Sequence, residues 1–247
     1  MSFCSMHVET DAIVIGSLKY RDSSLIVRCY CKKLGLRSFM LKGILAAKKG
    51  GLKRSLFQPL NLIKITTQIR NENTLGMNFI REGSFKVHFQ EIPLNVKKNT
   101  IALFVSEVIS RVIFEEGNPN KTFYEFLENS ILRLEKMEFS PVFHLKFLIL
   151  LSDQLGFYPN ITEQEKKFFD IQNGYFCDNS LSTQVIGGET ILAFKELLNI
   201  NFDDIIKLKI SNQIRNDVLK FLINYFNIHL PRFGKLKSIA ILHEIFR

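Results

Sequence analysis

The strongest constraint on the fold is a change of hydrophobic period near residue 82. Before it, apolar residues come in short runs or alternate. Ala12–Leu18 is continuous, and Leu25, Val27, Cys29 and Cys31 alternate with Ile26, Arg28, Tyr30 and Lys32. A period of two is that of a strand with one buried face. Gly35 opens a further strand, Leu36–Lys42, closed by Gly43, and Leu60–Gln68 and Thr74–Ile80 complete a set of five. Short strands separated by glycines and polar turns predict a small barrel or sandwich.

Beyond residue 82 the spacing becomes helical. Ile101, Phe104, Val105, Val108, Ile109, Val112 and Ile113 fall on one side of a helix, and Lys121–Lys136 repeats the pattern with Phe123, Phe126, Leu127, Ile131, Leu132 and Leu134. Pro141 opens a strongly apolar helix that stops at about Gly156, and helices resume at Glu189–Leu198, Asn212–Phe226 and Leu236–Phe246. Residues 162–188 are the least regular. The expectation is an α+β chain of two domains, a strand domain over residues 1–81 and an all-α domain over 82–247, with an irregular lobe at about 160–188.

Charge divides the chain at the same place. Of a net +9, residues 1–81 hold 14 basic against 4 acidic residues, and the remaining 166 hold 19 against 20. Between Asp22 and Glu72 there is no acid, yet eleven basic residues occur: Arg28, Lys32, Lys33, Arg37, Lys42, Lys48, Lys49, Lys53, Arg54, Lys64 and Arg70. Such a one-sign field repels itself and calls for a polyanion such as nucleic acid. Within it lies the loop GILAAKKGGLKRSL (43–56), where Gly50-Gly51 is flanked by Lys48, Lys49, Lys53 and Arg54. It lacks the Gly-Lys-Ser/Thr ending of a nucleotide P-loop, so ATP binding is not implied. The candidate phosphate contacts are Lys32, Lys33, Arg37, Lys42, Lys48, Lys49, Lys53 and Arg54. Tyr30, Phe39 and Phe57 are the nearby candidate rings for stacking on bases, and the face used by Phe39 is left open.

The four cysteines, Cys4, Cys29, Cys31 and Cys177, show neither a disulfide framework nor paired CxxC knuckles, which fits a reducing, intracellular compartment. Cys29 and Cys31 share the face of Leu25 and Val27 and read as core residues. No signal pattern or membrane-spanning run is visible, since Val142–Leu151 is too short and is interrupted by His144 and Lys146. The chain reads as soluble. Enzyme chemistry finds little support. Glu115-Glu116 and Asp203-Asp204 are sequence neighbours that point apart on a helix. His7, His88, His144, His229 and His243 are scattered, with no HExxH or GxSxG pattern. The chain is expected to be no enzyme, with no catalytic residue.

Several segments together resemble the RecO family of bacterial recombination mediators. They are ETDAIVIGSLKYRDSSLIVRCYCKKLGLRSFMLKGI (9–44), Gln58-Pro59-Leu60, LLSDQLGFYPN (150–160) and NYFNIHLPRFGKLKSIAIL (224–242). They keep the family's order over nearly the whole chain. The resemblance implies a five-stranded N-terminal OB-fold β-barrel followed by a helical domain. It also implies binding of single- and double-stranded DNA, annealing of complementary strands, and action with RecR to load RecA onto DNA coated by single-strand-binding protein. The partners implied are thus DNA, RecR, single-strand-binding protein through its acidic C-terminal tail, and RecA indirectly. The setting implied is cytoplasmic and nucleoid-associated, with no membrane. The neutral helical domain is the expected dock for protein partners.

One departure from the family concerns zinc. Many members carry two CxxC pairs after the Leu-Gly-x-x-Pro segment. Here the first pair is missing from residues 160–169 and only Cys177 stands in the second, in GYFCDN. One thiolate cannot supply a four-ligand structural site. Neither zinc nor any other cofactor is expected, and Phe168, Phe169, Tyr175 and Phe176 are expected to pack the lobe. Two alternatives differ in what they predict. A generic OB-fold nucleic-acid-binding module would bind strands without engaging mediator partners. A metal-dependent nuclease would turn over substrate with Mg²⁺ and depend on carboxylates rather than lysines.

Overall fold

The computed structural model describes residues 6–46, 52–69, 78–113, 118–178 and 184–246. Its first part is a five-stranded antiparallel sheet of β1 (Met6–Tyr20), β2 (Ser24–Cys31), β3 (Gly35–Leu41), β4 (Leu62–Ile69) and β5 (Phe79–Phe85), in the order β3-β2-β1-β4-β5. β1 is long because it serves two neighbours: residues 6–13 pair with β4, and residues 12–20 pair with β2. Among the described residues the two outer strands, β3 and β5, meet at a single parallel bridge between Phe39 and Asn78, just before β5. The amides of Met40 and Asn78 bond there to the carbonyls of Asn78 and Ser38, at 2.9 and 3.2 Å. The strands therefore run β1-β2-β3-β5-β4-β1 around an OB-like barrel whose wall is joined at that point by one bridge instead of a ladder.

Alternation fills the barrel. Ala12, Val14, Leu25, Val27, Cys29, Cys31, Phe39, Leu41, Ile63, Ile65 and Ile80 form one buried cluster. Cys29 and Cys31 belong to this core as the alternation predicts, and burial pushes the Cys31 thiol up to about 12. A 3₁₀ turn, Arg54–Phe57, inserts Leu56 and Phe57 into the same cluster. The Asn61 amide holds this turn by donating to the carbonyls of Ser55 and Leu56 at 2.9 and 3.0 Å. The Gln58-Pro59-Leu60 segment then reverses through Leu60 at φ 63°, a left-handed conformation that costs a non-glycine residue about 1–2 kcal/mol. The Leu60 amide meets the Val14 carbonyl at 2.7 Å, and the Leu60 side chain is buried.

Two bulges shift the alternation. In β1 the register slips between Val14 and Gly16, so even-numbered residues face the core up to Val14, and Gly16, Leu18 and Tyr20 face outward. In β5 the slip leaves Arg81 unpaired between Ile80 and Glu82. Ile80 is buried, Arg81 and Glu82 are both exposed, and Phe85 packs back against the core. This slip hides the strand from a period-two reading, which expects it at Thr74–Ile80. The observed strand runs from Phe79 to Phe85, past residue 81, and residues 74–77 lie outside the described residues.

Helices α1 (Glu91–Leu94), α2 (Val96–Val112), α3 (Lys121–Lys136), α4 (Phe143–Gln154), α5 (Gly188–Asn199), α6 (Asn212–His229) and α7 (Ser238–Ile245) follow. The chain resolves into two compact units: residues 1–94 with 105–135, and residues 95–104 with 136–247. The second half of α2 and nearly all of α3 thus join the strand unit. Tyr30, on the outer face of β2, is fully buried there, edge-on to Phe123 at 5.6 Å and stacked on Tyr124 at 6.5 Å. The Ser106 hydroxyl donates to the Ile15 carbonyl at 2.6 Å.

The second unit is mainly helical. The lobe that the sequence leaves irregular contains a small antiparallel sheet of β6 (Phe168–Asp170), β7 (Tyr175–Cys177) and β8 (Val185–Ile186), in the order β7-β6-β8. Phe169 and Phe176 pack it as expected: Phe169 lies edge-on to Phe176, Phe194, Phe221 and Tyr225 at 5.0 to 5.9 Å. Phe168 is half-buried, whereas Tyr175 is 42% exposed and does not join this core, because it falls on the outer side of a three-residue strand. Gly174 turns β6 into β7 at φ 71°, and a Cβ there would lie 2.8 Å from the Tyr225 hydroxyl. The buried Lys146 donates to the carbonyls of Leu197 and Leu198 at 2.8 and 3.3 Å, covering the end of α5.

Candidate nucleic-acid interface

The eight candidate contacts do not form one patch. Lys32 and Lys33 stand in the turn before β3, and Lys42 follows its other end. A seven-residue strand separates these positions by roughly 20 Å. At the first end one cation is paired and the other is tethered. Lys32 pairs with Glu125 of α3 at 3.0 Å and lies over the Tyr124 ring at 5.7 Å. Lys33 donates to the Glu9 carbonyl at 2.8 Å. The carboxyl of Glu125 is held below its ordinary range, first by its hydrogen bond from Lys32. Arg37 belongs to the inward series of β3 with Phe39 and Leu41, half-buried, and its guanidinium returns to the Leu36 carbonyl at 2.9 Å.

The other end is open. Lys42 is exposed, with its ammonium 5.2 Å from the centre of the Phe79 ring. Lys53 and Arg54 are exposed at the start of the 3₁₀ turn, whose Leu56 and Phe57 anchor them to the barrel core. Lys48 and Lys49 lie outside the described residues. Lys53 also lines a groove of about 490 Å³ together with Arg81, Glu82, His88, Leu52 and Leu56. Arg81 is steadied by Gln68 at 2.9 Å. Sequence reasoning missed Arg81 because it lies beyond Glu72, outside the acid-free window from which the candidates were drawn.

The acid-free window is therefore not acid-free in space. Glu9 accepts Lys64 at 3.2 Å, and Glu125 takes Lys32. Lys86 joins Asp11 and Glu128, both at 2.6 Å; burial would lower its pKa, yet the two carboxylates raise it. Glu135 accepts the amides of Gln90, Glu91 and Ile92 at 2.6 to 2.9 Å. Counted over the compact units, the strand unit carries 18 basic and 12 acidic residues, because α3 and its flanks bring carboxylates.

The proposed stacking rings require correction. Tyr30, Phe39 and Phe57 are all buried, at 1% exposure or less. Alternation turns Phe39 into the barrel, α3 covers Tyr30, and Phe57 is part of the 3₁₀ plug. Rings that do reach the surface include Phe79, 37% exposed, and the half-buried Tyr20, which has the Arg21 guanidinium 5.4 Å from its centre. Both rings carry a cation at a distance typical of cation–π contact.

Among the described residues no group of three or more His, Cys, Asp or Glu side chains could hold a metal ion. Cys177 is half-buried on β7 opposite Phe168. Asp204 pairs with Lys207 at 2.5 Å in the 3₁₀ segment Phe202–Lys207, and Glu115-Glu116 lie outside the described residues. His144 is buried among Phe104 and Phe246, with ring centres 5.6 and 6.1 Å away. No helix among the described residues is long and apolar enough to cross a membrane.

This arrangement, a basic OB-like barrel ahead of a helical unit, agrees with comparison to known sequences. The profile described as Recombination protein O N terminal matches residues 6–84, and that described as Recombination protein O C terminal matches residues 93–239. The chain belongs to the RecO family. It is similar to proteins named DNA repair protein RecO from Flavobacterium psychrophilum, 35% identical over 241 residues, and Flavobacterium johnsoniae, 36% over 242. In both, the match covers 98% of this chain and 100% of the relative. The protein of that name from Bacteroides fragilis is 34% identical over 242 residues, covering 96% of this chain and 98% of its own. The family's two parts meet between residues 84 and 93, whereas the compact strand unit also takes in residues 105–135.

Proposed function

We propose that this RecO-family chain serves DNA repair and recombination as a non-catalytic DNA-binding mediator, with the open end of the barrel as its DNA site. The observation that carries this reading is the set of exposed cations Lys42, just past β3, Lys53 and Arg54, at the start of the 3₁₀ plug, and Arg81, on β5, in a family of DNA repair proteins. Cations fixed on a rigid wall release counterions when they meet phosphates, which gives affinity for single and double strands without sequence preference. A surface that screens two phosphate backbones together lowers their repulsion, and annealing needs no ATP on that account. Family membership further supports work with RecR to load RecA onto DNA coated by single-strand-binding protein, whose acidic tail would dock on the helical unit. A cytoplasmic, nucleoid-associated setting follows from that role.

The test is fluorescence anisotropy of labelled DNA over a salt series, comparing the intact protein with a Lys42/Lys53/Arg54→Ala variant. The intact protein should bind single strands with a steep salt dependence. Three lost phosphate contacts should flatten that slope by about 2 units in log K against log salt. Equal binding by both proteins would remove the open end from the site. Strand cleavage on addition of Mg²⁺ would overturn the non-catalytic reading. Annealing of coated strands, with and without RecR, tests the mediator role.

A further inference from the structure

The closure of the barrel leaves part of one strand edge without a neighbour. Among the described residues, the pairing of β3 with the β5 side goes no further than the Phe39–Asn78 bridge. Past it, β5 is bonded to β4 alone. The Lys86 amide meets the Leu62 carbonyl at 2.9 Å, and this fixes the alternation of the β4–β5 ladder. Ser84, opposite Lys64, turns its backbone groups to β4, whereas Gly83 and Phe85, opposite Ile65 and Ile63, turn theirs away. No backbone bond among the described residues takes up the Gly83 and Phe85 groups on that side. Such edge groups are a template for another strand.

The edge opens into the groove of about 490 Å³, which is lined by all five residues 81–85 and by Leu52, Lys53 and Leu56 of the plug segment. Residues 82–85 amount to about 13 Å of extended chain. Gly83 lets the plug come this close, since a Cβ there would lie 2.9 Å from the Leu56 side chain and 3.1 Å from that of Leu52. The lining is of two kinds. Leu52, Leu56 and Phe85 are apolar and belong to or pack against the barrel core. Lys53 and Arg81 are exposed cations set against one carboxylate, Glu82.

We propose that the edge of β5 takes an extended segment of a protein partner as an added strand, one in which acidic and apolar residues alternate. Its backbone bonds to Gly83 and Phe85, its apolar side chains pack on Leu52, Leu56 and Phe85, and its acids meet Lys53 and Arg81. The alternation follows from strand geometry, and the choice of acids from two cations against one carboxylate. The inference uses the backbone edge of β5 and does not rest on the DNA reading.

The probe is fluorescein-Glu-Val-Asp-Val-Glu-Val-amide, which has no terminal carboxylate. Its binding to the full chain is followed by anisotropy, and amide hydrogen exchange by NMR reports on β5. At saturation the Gly83 and Phe85 amides should exchange about tenfold more slowly or better. A counterpart with lysines for the acids should bind about fivefold more weakly or worse. One N-methylated at its peptide amides, equal in charge but without donors, should lose about tenfold. Arg81→Glu, at an exposed position and checked for folding by circular dichroism, should weaken the acidic peptide about fivefold. Binding without protection of Gly83 and Phe85, or equal binding of the N-methylated peptide, would mean adhesion by charge and overturn strand addition. No binding of the acidic peptide, or no effect of Arg81→Glu, removes the groove as the site. Protection that grows with protein concentration in the absence of peptide would give the edge to a second copy of the chain, which overturns the proposal too.

Discussion

The two ends of the outer barrel face are made from the same three strands, yet they have opposite fates. At one end, Tyr30 is buried against Phe123 and Tyr124, and Lys32 is paired with Glu125. At the other, Leu18, Met40 and Lys42 are left to solvent or only half covered. The difference comes from α3. It carries Glu125, Glu128 and Glu135 to one end and none to the other, so a barrel basic all round in sequence becomes basic on one side. Charge excess in a segment is thus a poor guide to which cations are available, because the neutralising acids arrive from helices about 90 residues away.

The sharpest way to break this comparison is to truncate one outer-face residue at each end. Tyr30→Ala should lose about 3–5 kcal/mol of stability, as for other fully buried aromatics. Leu18→Ser should change it by no more than about 0.5 kcal/mol. Urea unfolding followed by circular dichroism measures both; similar losses would mean that the open end is covered after all.

A pH series separates stability from DNA contact. Burial, with smaller contributions from Arg215 and His243, pushes His144 in the helical unit down to about 3 from 6.5. Below pH 6.5 the unfolded chain takes up a proton that the folded protein refuses until near pH 3, so stability falls as the solution is acidified. The loss should reach about 2 kcal/mol between pH 7 and pH 5 and should be reduced in His144→Met. No corresponding change in DNA salt slope is expected, because His144 belongs to the helical unit and makes none of the proposed phosphate contacts.

The smallest effect tests the covered end directly. Glu125→Gln releases Lys32 from its ion pair. If Lys32 then reaches phosphate, the salt slope for single strands should steepen by about 0.7 and affinity should rise less than about threefold. An unchanged slope places Lys32 outside the DNA path, so that Lys42, Lys53 and Arg54 carry the contact.

The division into strands and helices was legible because burial imposes a period on each element: Leu25-Val27-Cys29-Cys31 and the apolar face of α2 could hardly be read otherwise. The site was only half legible. Lys42, Lys53 and Arg54 were visible as exposed basic residues, but Lys32 was counted with them for want of any sign of Glu125. Phe39 and Phe79 illustrate the same gap for rings. Both are phenylalanines in strands, and the Phe39–Asn78 bridge puts one in the core and leaves the other outside. The small sheet at Phe168–Ile186 escaped because strands of two or three residues are too short to show a period.

By itself, the sequence determined element type, the buried faces of unbroken strands and helices, and the location of excess charge, all of which arise between near neighbours in the chain. Only the tertiary structure decided strand register, the two bulges that reverse alternation at Gly16 and Arg81, and which cations meet acids. The reason is physical. A one-residue slip costs little locally but moves every following side chain to the opposite face, and an ion pair depends on a distance in space that no local pattern records.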